Sequence, residues 1–283
     1  MNQDPTKEQI DRLIESALQE DLGSGDITTR GTVDDKLVYE AEVVARESMV
    51  VCGLGIFKSV FTRLDAGVTF PEQPFKDGDT VSPGAVVLKL KGRAVALLEG
   101  ERVALNILQR LCGIATQTRR FVDHAGSVEV LDTRKTTPGL RVFEKYAVRC
   151  GGGKNHRFGL FDAILIKDNH IKAAGGIGPA VERVRSKGGS GKTVEVEAVD
   201  LGEVKEALDA GADTIMLDNM QLDAIREAVR VIDGKARIEV SGRVTLDRLE
   251  ALSQTGIDCV SVGALTHSPQ AADISMNFLE TPS

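Results

Sequence analysis

Nine lysine or arginine residues crowd positions 130–172: Arg134, Lys135, Arg141, Lys145, Arg149, Lys154, Arg157, Lys167 and Lys172. Four acids oppose them there, Asp132, Glu144, Asp162 and Asp168, in a chain whose formal net charge is −7. Converging cations raise the local concentration of an anion and bind it directly. His156 and His170 fall in the same stretch. A charge run is usually a solvated face. Here the charges sit at the ends of short β-branched runs, beside Thr137-Pro138-Gly139 and Gly151-Gly152-Gly153 turns, with no helical stripe. That pattern predicts an anion pocket.

Such a pocket needs a scaffold, and the chain downstream supplies a rhythm for one. Short β-rich runs recur at 128–131, 163–166, 194–196, 214–217, 238–240 and 259–262. Helical patterns at 178–187, 203–210, 222–232 and 246–254 separate them. Repeated strand–helix units predict an α/β fold built on a TIM-like (β/α) barrel, with a doubly wound sheet as the alternative. The region is short for eight units, so the barrel is expected to be irregular and incomplete. Active-site groups of such barrels lie at the carboxyl ends of the strands. Those positions hold Arg134 and Lys135, then Lys167, Glu197, Asp218, Ser241-Gly242 and Gly263-Ala264. Arginine's planar fork suits carboxylates. Glu197 and Asp218 could hold Mg²⁺, a hard cation that takes carboxylate and phosphate oxygen together. The small loops after the last two strands suit phosphate, bound through backbone N–H groups.

Upstream, Asp4-Pro5 offers an N-cap and first helical residue before an apolar face of Ile10, Leu13, Ile14, Ala17 and Leu18, closed by Gly23. The glycine loop 23–29 has no strand before it and reads as a turn. A strand over 37–46, a helix over 55–64, a tight turn at Asp77-Gly78-Asp79 and a strand over 85–90 follow. The 78–84 stretch has the look of a lipoyl- or biotinyl-carrier turn, but no lysine stands at a hairpin tip, so it reads as architecture. Residues 97–121 read as a helix with a break or kink at Gly113, and Arg102 is an ordinary surface arginine on pattern alone.

The 283 residues leave room for one large domain and a smaller one. An acidic balance without Trp and with two Tyr argues against a nucleic-acid partner. No apolar run is long enough to span a bilayer. The first five residues lack the basic and apolar regions of a signal peptide. Cys52, Cys112, Cys150 and Cys259 are scattered without a CxxC pair. They predict a reducing, cytoplasmic setting and neither a zinc site nor a disulfide framework.

Seven blocks together resemble the quinolinate phosphoribosyltransferase family. They are Glu101-Arg102-Val103-Ala104-Leu105-Asn106, Asp132-Thr133-Arg134-Lys135-Thr136-Thr137-Pro138-Gly139, Gly151-Gly152-Gly153-Lys154-Asn155-His156-Arg157, Ile166-Lys167-Asp168-Asn169-His170, Glu195-Val196-Glu197, Met216-Leu217-Asp218-Asn219 and Ser261-Val262-Gly263-Ala264-Leu265. The resemblance covers nearly the whole chain, from residues 21–29 onward. It implies transfer of a phosphoribosyl group from phosphoribosyl pyrophosphate to quinolinate, with Mg²⁺ and loss of CO₂, in pyridine nucleotide synthesis. It also implies a smaller N-terminal α+β domain over 1–112, with the tail 268–283 packed back on it, and a barrel over 113–267.

The unit expected from the resemblance is a homodimer whose active sites are shared between chains, with further assembly left open. By motif position, Arg102, Arg134, His156, Arg157 and Lys167 would surround quinolinate. Lys135 would lie between the substrates, near the pyrophosphate. Glu197 and Asp218 would face ribose and Mg²⁺, and Ser241, Gly242, Gly263 and His267 would hold phosphate. Arg243 stands where the family often has Gly or Asn, which leaves its contribution open. A related phosphoribosyltransferase associated with molybdate uptake would be expected to lack some of these arginines, whereas Arg102, Arg134 and Arg157 are all present. A non-catalytic anion sensor would have no use for Glu197 and Asp218 facing its ligand.

Overall fold

The structure is a computed structural model that describes residues 4–189 and 191–279. The first three residues and 280–283, the end of the expected tail, lie outside the described residues. The strands, in chain order, are β1 (Val38–Ala45), β2 (Met49–Val50), β3 (Thr69–Glu72), β4 (Thr80–Val81), β5 (Val86–Arg93), β6 (Glu129–Leu131), β7 (Ile164–Ile166), β8 (Val194–Ala198), β9 (Thr214–Asp218), β10 (Arg237–Ser241), β11 (Cys259–Ser261) and β12 (Ile274–Phe278). They divide between two compact units.

One unit, Arg120–Thr137 with Gly153–His267, carries a parallel sheet of six strands in the order β6-β11-β10-β9-β8-β7. Strands β7 to β11 follow one another in space as in sequence, and the first strand, β6, pairs with the last, β11. A doubly wound sheet would reverse direction partway. A sheet whose first strand meets its last is curled as a barrel, and the break between β6 and β7 leaves it incomplete. A parallel bridge from Leu131 to Lys154 extends the β6 side.

The period of two along each strand decides what this barrel holds. Val194, Val196, Ile215, Leu217, Val240 and Val260 are fully buried. They pack beneath helices whose own buried residues are Val204, Ala207, Ile225, Ala228, Ile232, Leu249 and Leu252. Each fully buried Ile or Leu contributes about 1.5–3 kcal/mol. The alternate residues therefore face the barrel interior: Glu195 and Glu197 on β8, Met216 and Asp218 on β9, Glu239 and Ser241 on β10. The interior is acidic, and a cationic lining has to balance it.

The other unit holds an antiparallel sheet in the order β12-β1-β5-β3 and the two-stranded β2-β4 ladder. Ala41 to Ala45 of β1 pair with β12, running from Phe278 to Ile274. β12 carried no signal in the sequence. Its partner strand supplies the backbone bonds that the run itself does not announce.

Three expectations are corrected here. The first helix, Lys7–Leu22, is capped by Thr6 in a reciprocal box with Gln9, and Asp4 instead pairs with Arg149. The 23–29 loop runs into a short helix, Ile27–Thr32, capped by Asp26. Gly113 breaks nothing: the helix Ala94–His124 is continuous, and a Cβ at Gly113 would lie 2.0 Å from the Gln270 carbonyl oxygen. Close backbone approach is the reason for that glycine.

The basic stretch is also divided. Arg141, Lys145 and Arg149 sit on a helix, Arg141–Cys150, in the antiparallel unit, where Lys145 is buried. Lys154 pairs with Glu129, and Lys172 with Asp168. The anion pocket expected of all nine cations is built from four of them.

Candidate active site

A cavity of about 540 Å³ opens in the barrel unit. Arg134, Lys135, His156, Arg157, Lys167, Glu197, Asp218, Ser241, Gly242 and Arg243 all contribute to its lining. Nine of these ten were expected site residues, and Arg243 had been left open. Gly263 and His267 adjoin Lys135: a Cβ on Gly263 would lie 3.0 Å from Lys135 Cδ and 3.2 Å from His267 Cδ2. Arg102 belongs to the antiparallel unit, exposed on the helix Ala94–His124.

Short-range bonds hold each loop in place. The Lys135 N–H donates to Thr133 Oγ1 at 3.0 Å, and the Thr266 hydroxyl donates to the Lys135 carbonyl at 3.0 Å. Asp132, fully buried at the end of β6, accepts from Asn155 Nδ2 at 2.6 Å and from the His156 N–H at 2.9 Å. One buried carboxylate thus fixes the segment that carries His156 and Arg157. Asp162 accepts from the N–H groups of Phe158 and Gly159 and folds the next turn back.

The cations converge. Burial first, and the Arg134 guanidinium second, hold Arg157 below the usual arginine range. Two guanidiniums that repel each other in a partly buried site are stabilised by an anion between them. Lys167 Nζ meets Glu197 Oε2 at 2.5 Å. These two residues were expected to serve different ligands, so the two subsites adjoin.

Around Asp218 and Ser241 the backbone is strained. Asn219 (φ 55°) and Arg243 (φ 49°) are two of three non-glycine residues with positive φ among the described residues. Left-handed backbone on such residues costs on the order of 1–3 kcal/mol and persists where surrounding contacts impose it. Here the Asn219 N–H donates to the Ser241 carbonyl at 3.0 Å, and Asn219 Nδ2 donates to Asp218 Oδ2 at 2.7 Å. A Cβ on Gly242 would come within 2.2 Å of Asn219 Oδ1, so no other residue fits there. Arg248 donates to the carbonyls of Gly242 at 2.6 Å and Met220 at 2.7 Å, clamping both loops. Arg248 escaped notice in the sequence because its partners are backbone atoms of other loops.

Beneath this layer lies a cluster whose roles the sequence did not disclose. His156 Nε2 faces Glu195 Oε2 at 3.2 Å and Glu239 Oε2 at 3.5 Å. Burial works against a charged ring, but the two carboxylates outweigh it and hold His156 up to about 10. Burial raises the Glu195 carboxyl; His156 opposes that rise and the Glu239 charge adds to it. Glu195 Oε1 and Glu239 Oε1 are buried with no hydrogen-bond partner. The Arg157 N–H donates to His156 Nδ1 at 2.8 Å, which requires a lone pair on that nitrogen and opposes a doubly protonated ring. The two requirements meet if the cluster as a whole retains an extra proton, carried between the ring and the carboxylate pair. The signal for it was available: Glu195 precedes Glu197 by two residues and Glu239 precedes Ser241 by two, the same face one layer down.

A pH dependence follows. His156 has a raised folded-state pKa, so its contribution to stability is full below about 6.5 and is lost as pH rises toward about 10. Raised Glu195 acts in the same direction, since the fold favours its protonated form. Between about pH 6.5 and 9.5 the wild-type denaturant midpoint falls, and Glu239→Gln flattens that fall by about 1–2 kcal/mol. Equal slopes in the two proteins would contradict the cluster's titration.

The chain is similar throughout to known proteins. The model for the N-terminal domain of quinolinate phosphoribosyl transferase matches residues 26–112, and that for the C-terminal domain matches 114–277. A probable nicotinate-nucleotide pyrophosphorylase (carboxylating) of Bacillus subtilis is 45% identical over 271 residues, covering 95% of this chain and 93% of that protein. A chloroplastic nicotinate-nucleotide pyrophosphorylase (carboxylating) of Arabidopsis thaliana is 42% identical, covering 94% and 82%. The crystal structure of NadC from Streptococcus pyogenes superposes with a TM-score of 0.93 at 46% identity, over 98% of this chain and 100% of that one. With both domain models matched in order and the cation and carboxylate walls in one pocket, the chain belongs to the quinolinate phosphoribosyltransferase family.

Proposed function

We propose that this pocket carries out the family's reaction. The chain transfers the phosphoribosyl group of phosphoribosyl pyrophosphate to quinolinate with decarboxylation, giving nicotinate mononucleotide, pyrophosphate and CO₂. The observation that carries this reading is the junction of two walls, Arg134, Arg157 and Lys167 on one side and Glu197 with Asp218 beside them.

Arg134, Arg157 and Lys167 bind the two quinolinate carboxylates and orient the ring nitrogen toward ribose C1. His156 supports them from below, its ring nitrogens engaged with Glu195, Glu239 and the Arg157 N–H. Breaking the C1–pyrophosphate bond develops positive charge on the ribose, which Glu197 and Asp218 stabilise electrostatically. Lys135, between Gly263 and the cavity, takes the departing pyrophosphate with His267, and Ser241 and Gly242 hold phosphate. Attack by the pyridine nitrogen quaternises the ring, whose positive charge stabilises the electron pair left on the ring carbon when the adjacent carboxylate departs as CO₂; that carbon then takes a proton from water. No residue acts as a covalent nucleophile.

Glu197 and Asp218 also fit Mg²⁺, being two oxygen donors on one wall. Bound there with the pyrophosphate, the ion would neutralise charge on the leaving group. In the His156–Glu195–Glu239 group the retained proton already occupies the space between ring and carboxylates, so that group is a poorer match for the cation. A homodimer that supplies Arg102 in trans is the unit we infer, on the family resemblance. The scattered thiols support a cytoplasmic setting; no helix among the described residues is long and apolar enough to cross a membrane.

The test is quinolinate-dependent release of CO₂ and pyrophosphate from phosphoribosyl pyrophosphate. Nicotinate, lacking one carboxylate, leaves a cation unpaired. Losing a charge-assisted contact costs about 2–4 kcal/mol, so kcat/KM falls at least about 30-fold with nicotinate. Comparable turnover of both acids would refute the assignment of the arginine wall.

A further inference from the structure

Three of the four cysteines, widely separated in sequence, meet in the antiparallel unit. The Cys52 N–H donates to Cys112 Sγ at 3.2 Å, and the Cys112 thiol donates to the Cys52 carbonyl at 3.5 Å. Cys52, Cys150 and Asp77 place their ligand atoms within 4.8 Å of one another. Asp77 is committed elsewhere. It accepts from the Gly53 N–H at 2.9 Å and the Leu54 N–H at 3.1 Å, and from the Tyr146 hydroxyl at 2.8 Å. A carboxylate that caps a helix and receives a phenol is ill placed to complete a metal site. The two sulfurs are left facing each other.

Their surroundings differ. Cys52 is fully buried, whereas Cys150 is half-buried and ends the helix Arg141–Cys150 just before exposed Gly152. The Cys52 thiol beside it lowers the Cys150 pKa, and Tyr146 and Arg149 add to this against burial and the Asp77 charge. Burial raises Cys52 and pushes Cys112 up to about 12. Cys259, in the other unit, is buried and also held up at about 12. Peroxide-reactive cysteines combine thiolate character, access and a nearby second thiol.

We propose that Cys150 is a peroxide-reactive thiol and Cys52 its resolving partner, the two closing a reversible disulfide. The Cys150 thiolate attacks one peroxide oxygen. The O–O bond breaks, hydroxide leaves, and Cys150 becomes a sulfenic acid. The Cys52 sulfur then attacks the Cys150 sulfur and displaces hydroxide; with the thiol protons, the balance is two thiols oxidised and one hydrogen peroxide reduced to two waters. Sulfurs within 4.8 Å must close to about 2.05 Å, a movement on the scale of a side-chain rotamer change.

The experiment treats the reduced full-length protein with hydrogen peroxide near neutral pH, blocks remaining thiols and maps peptides by mass spectrometry. Cleavage after Arg149 and Lys154 isolates Cys150 on a short peptide of its own. The expected product is a Cys52–Cys150 cross-link, reversed by dithiothreitol, with Cys150 reacting at least about tenfold faster than Cys112 or Cys259. In Cys52→Ser, a dimedone adduct collects on Cys150; in Cys150→Ser, Cys52 stays reduced. Thermal unfolding of each variant checks that it folds, and the wild-type rate comparison stands without them. Oxidation of Cys52 in Cys150→Ser, a Cys52–Cys112 cross-link in the wild type, or Cys150 reacting no faster than Cys112 would each overturn the proposal.

Discussion

Asp218→Asn lowers kcat by about 100- to 1000-fold while quinolinate affinity stays within about threefold of wild type. The split follows from what Asp218 touches. Its carboxylate, half-buried at the end of β9, accepts from Asn219 Nδ2 and lines the cavity. Charge that appears on the ribose only as the pyrophosphate departs is felt by Asp218 in the transition state and hardly at all in the ground state. An amide of the same shape keeps the packing and removes the charge. Glu197 is the less clean choice, because Glu197→Gln also releases Lys167 from its 2.5 Å pairing and so disturbs the carboxylate subsite. Steady-state kcat and KM, with quinolinate binding measured separately by calorimetry, separate the two effects. A variant impaired in quinolinate affinity and unchanged in kcat would place Asp218 with the wrong substrate.

The barrel was readable in the sequence because its strands repeat with helices between them. The alternation inside each strand then fixed which residues share the interior with Glu197 and Asp218. Glu239 was missed although the same alternation pointed to it, since a lone acid inside an apolar run looks like an edge residue until its neighbours are placed. The 141–150 helix was missed for a different reason. Its buried Lys145 and Glu144 break the expected polarity, and Glu144 is buried where Arg110 reaches it at 2.6 Å from a helix distant in sequence. Gly113 misled through its residue type: propensity says break, while Gln270, far along the chain, says close approach. Local chemistry in this chain is written in the sequence; partners supplied from afar are not.

Arg102→Ala and Lys167→Ala are each nearly inactive as pure proteins, yet an equal mixture of reassorted chains recovers about a quarter of wild-type activity. The expectation rests on the proposed homodimer, in which one chain's Arg102 serves the partner's barrel. Pattern alone gave Arg102 no role, and the structure leaves it exposed on the helix Ala94–His124, in the unit that does not hold the pocket. A charged arginine carried for a neighbour has that description. Lys167 lies in the pocket itself. In a two-fold dimer made from one chain of each kind, both lesions fall in a single site and the other site is intact. Random pairing of equal amounts makes half of the dimers mixed, each with one working site of two, hence the quarter. The chains must be dissociated and reassembled before assay, with exchange verified by a mass or affinity tag. Activity that stays at the level of the separate variants after verified exchange would mean that Arg102 does not act across the interface; with Arg102 serving its own barrel, each mixed dimer would carry one lesion in each site and nothing would be regained.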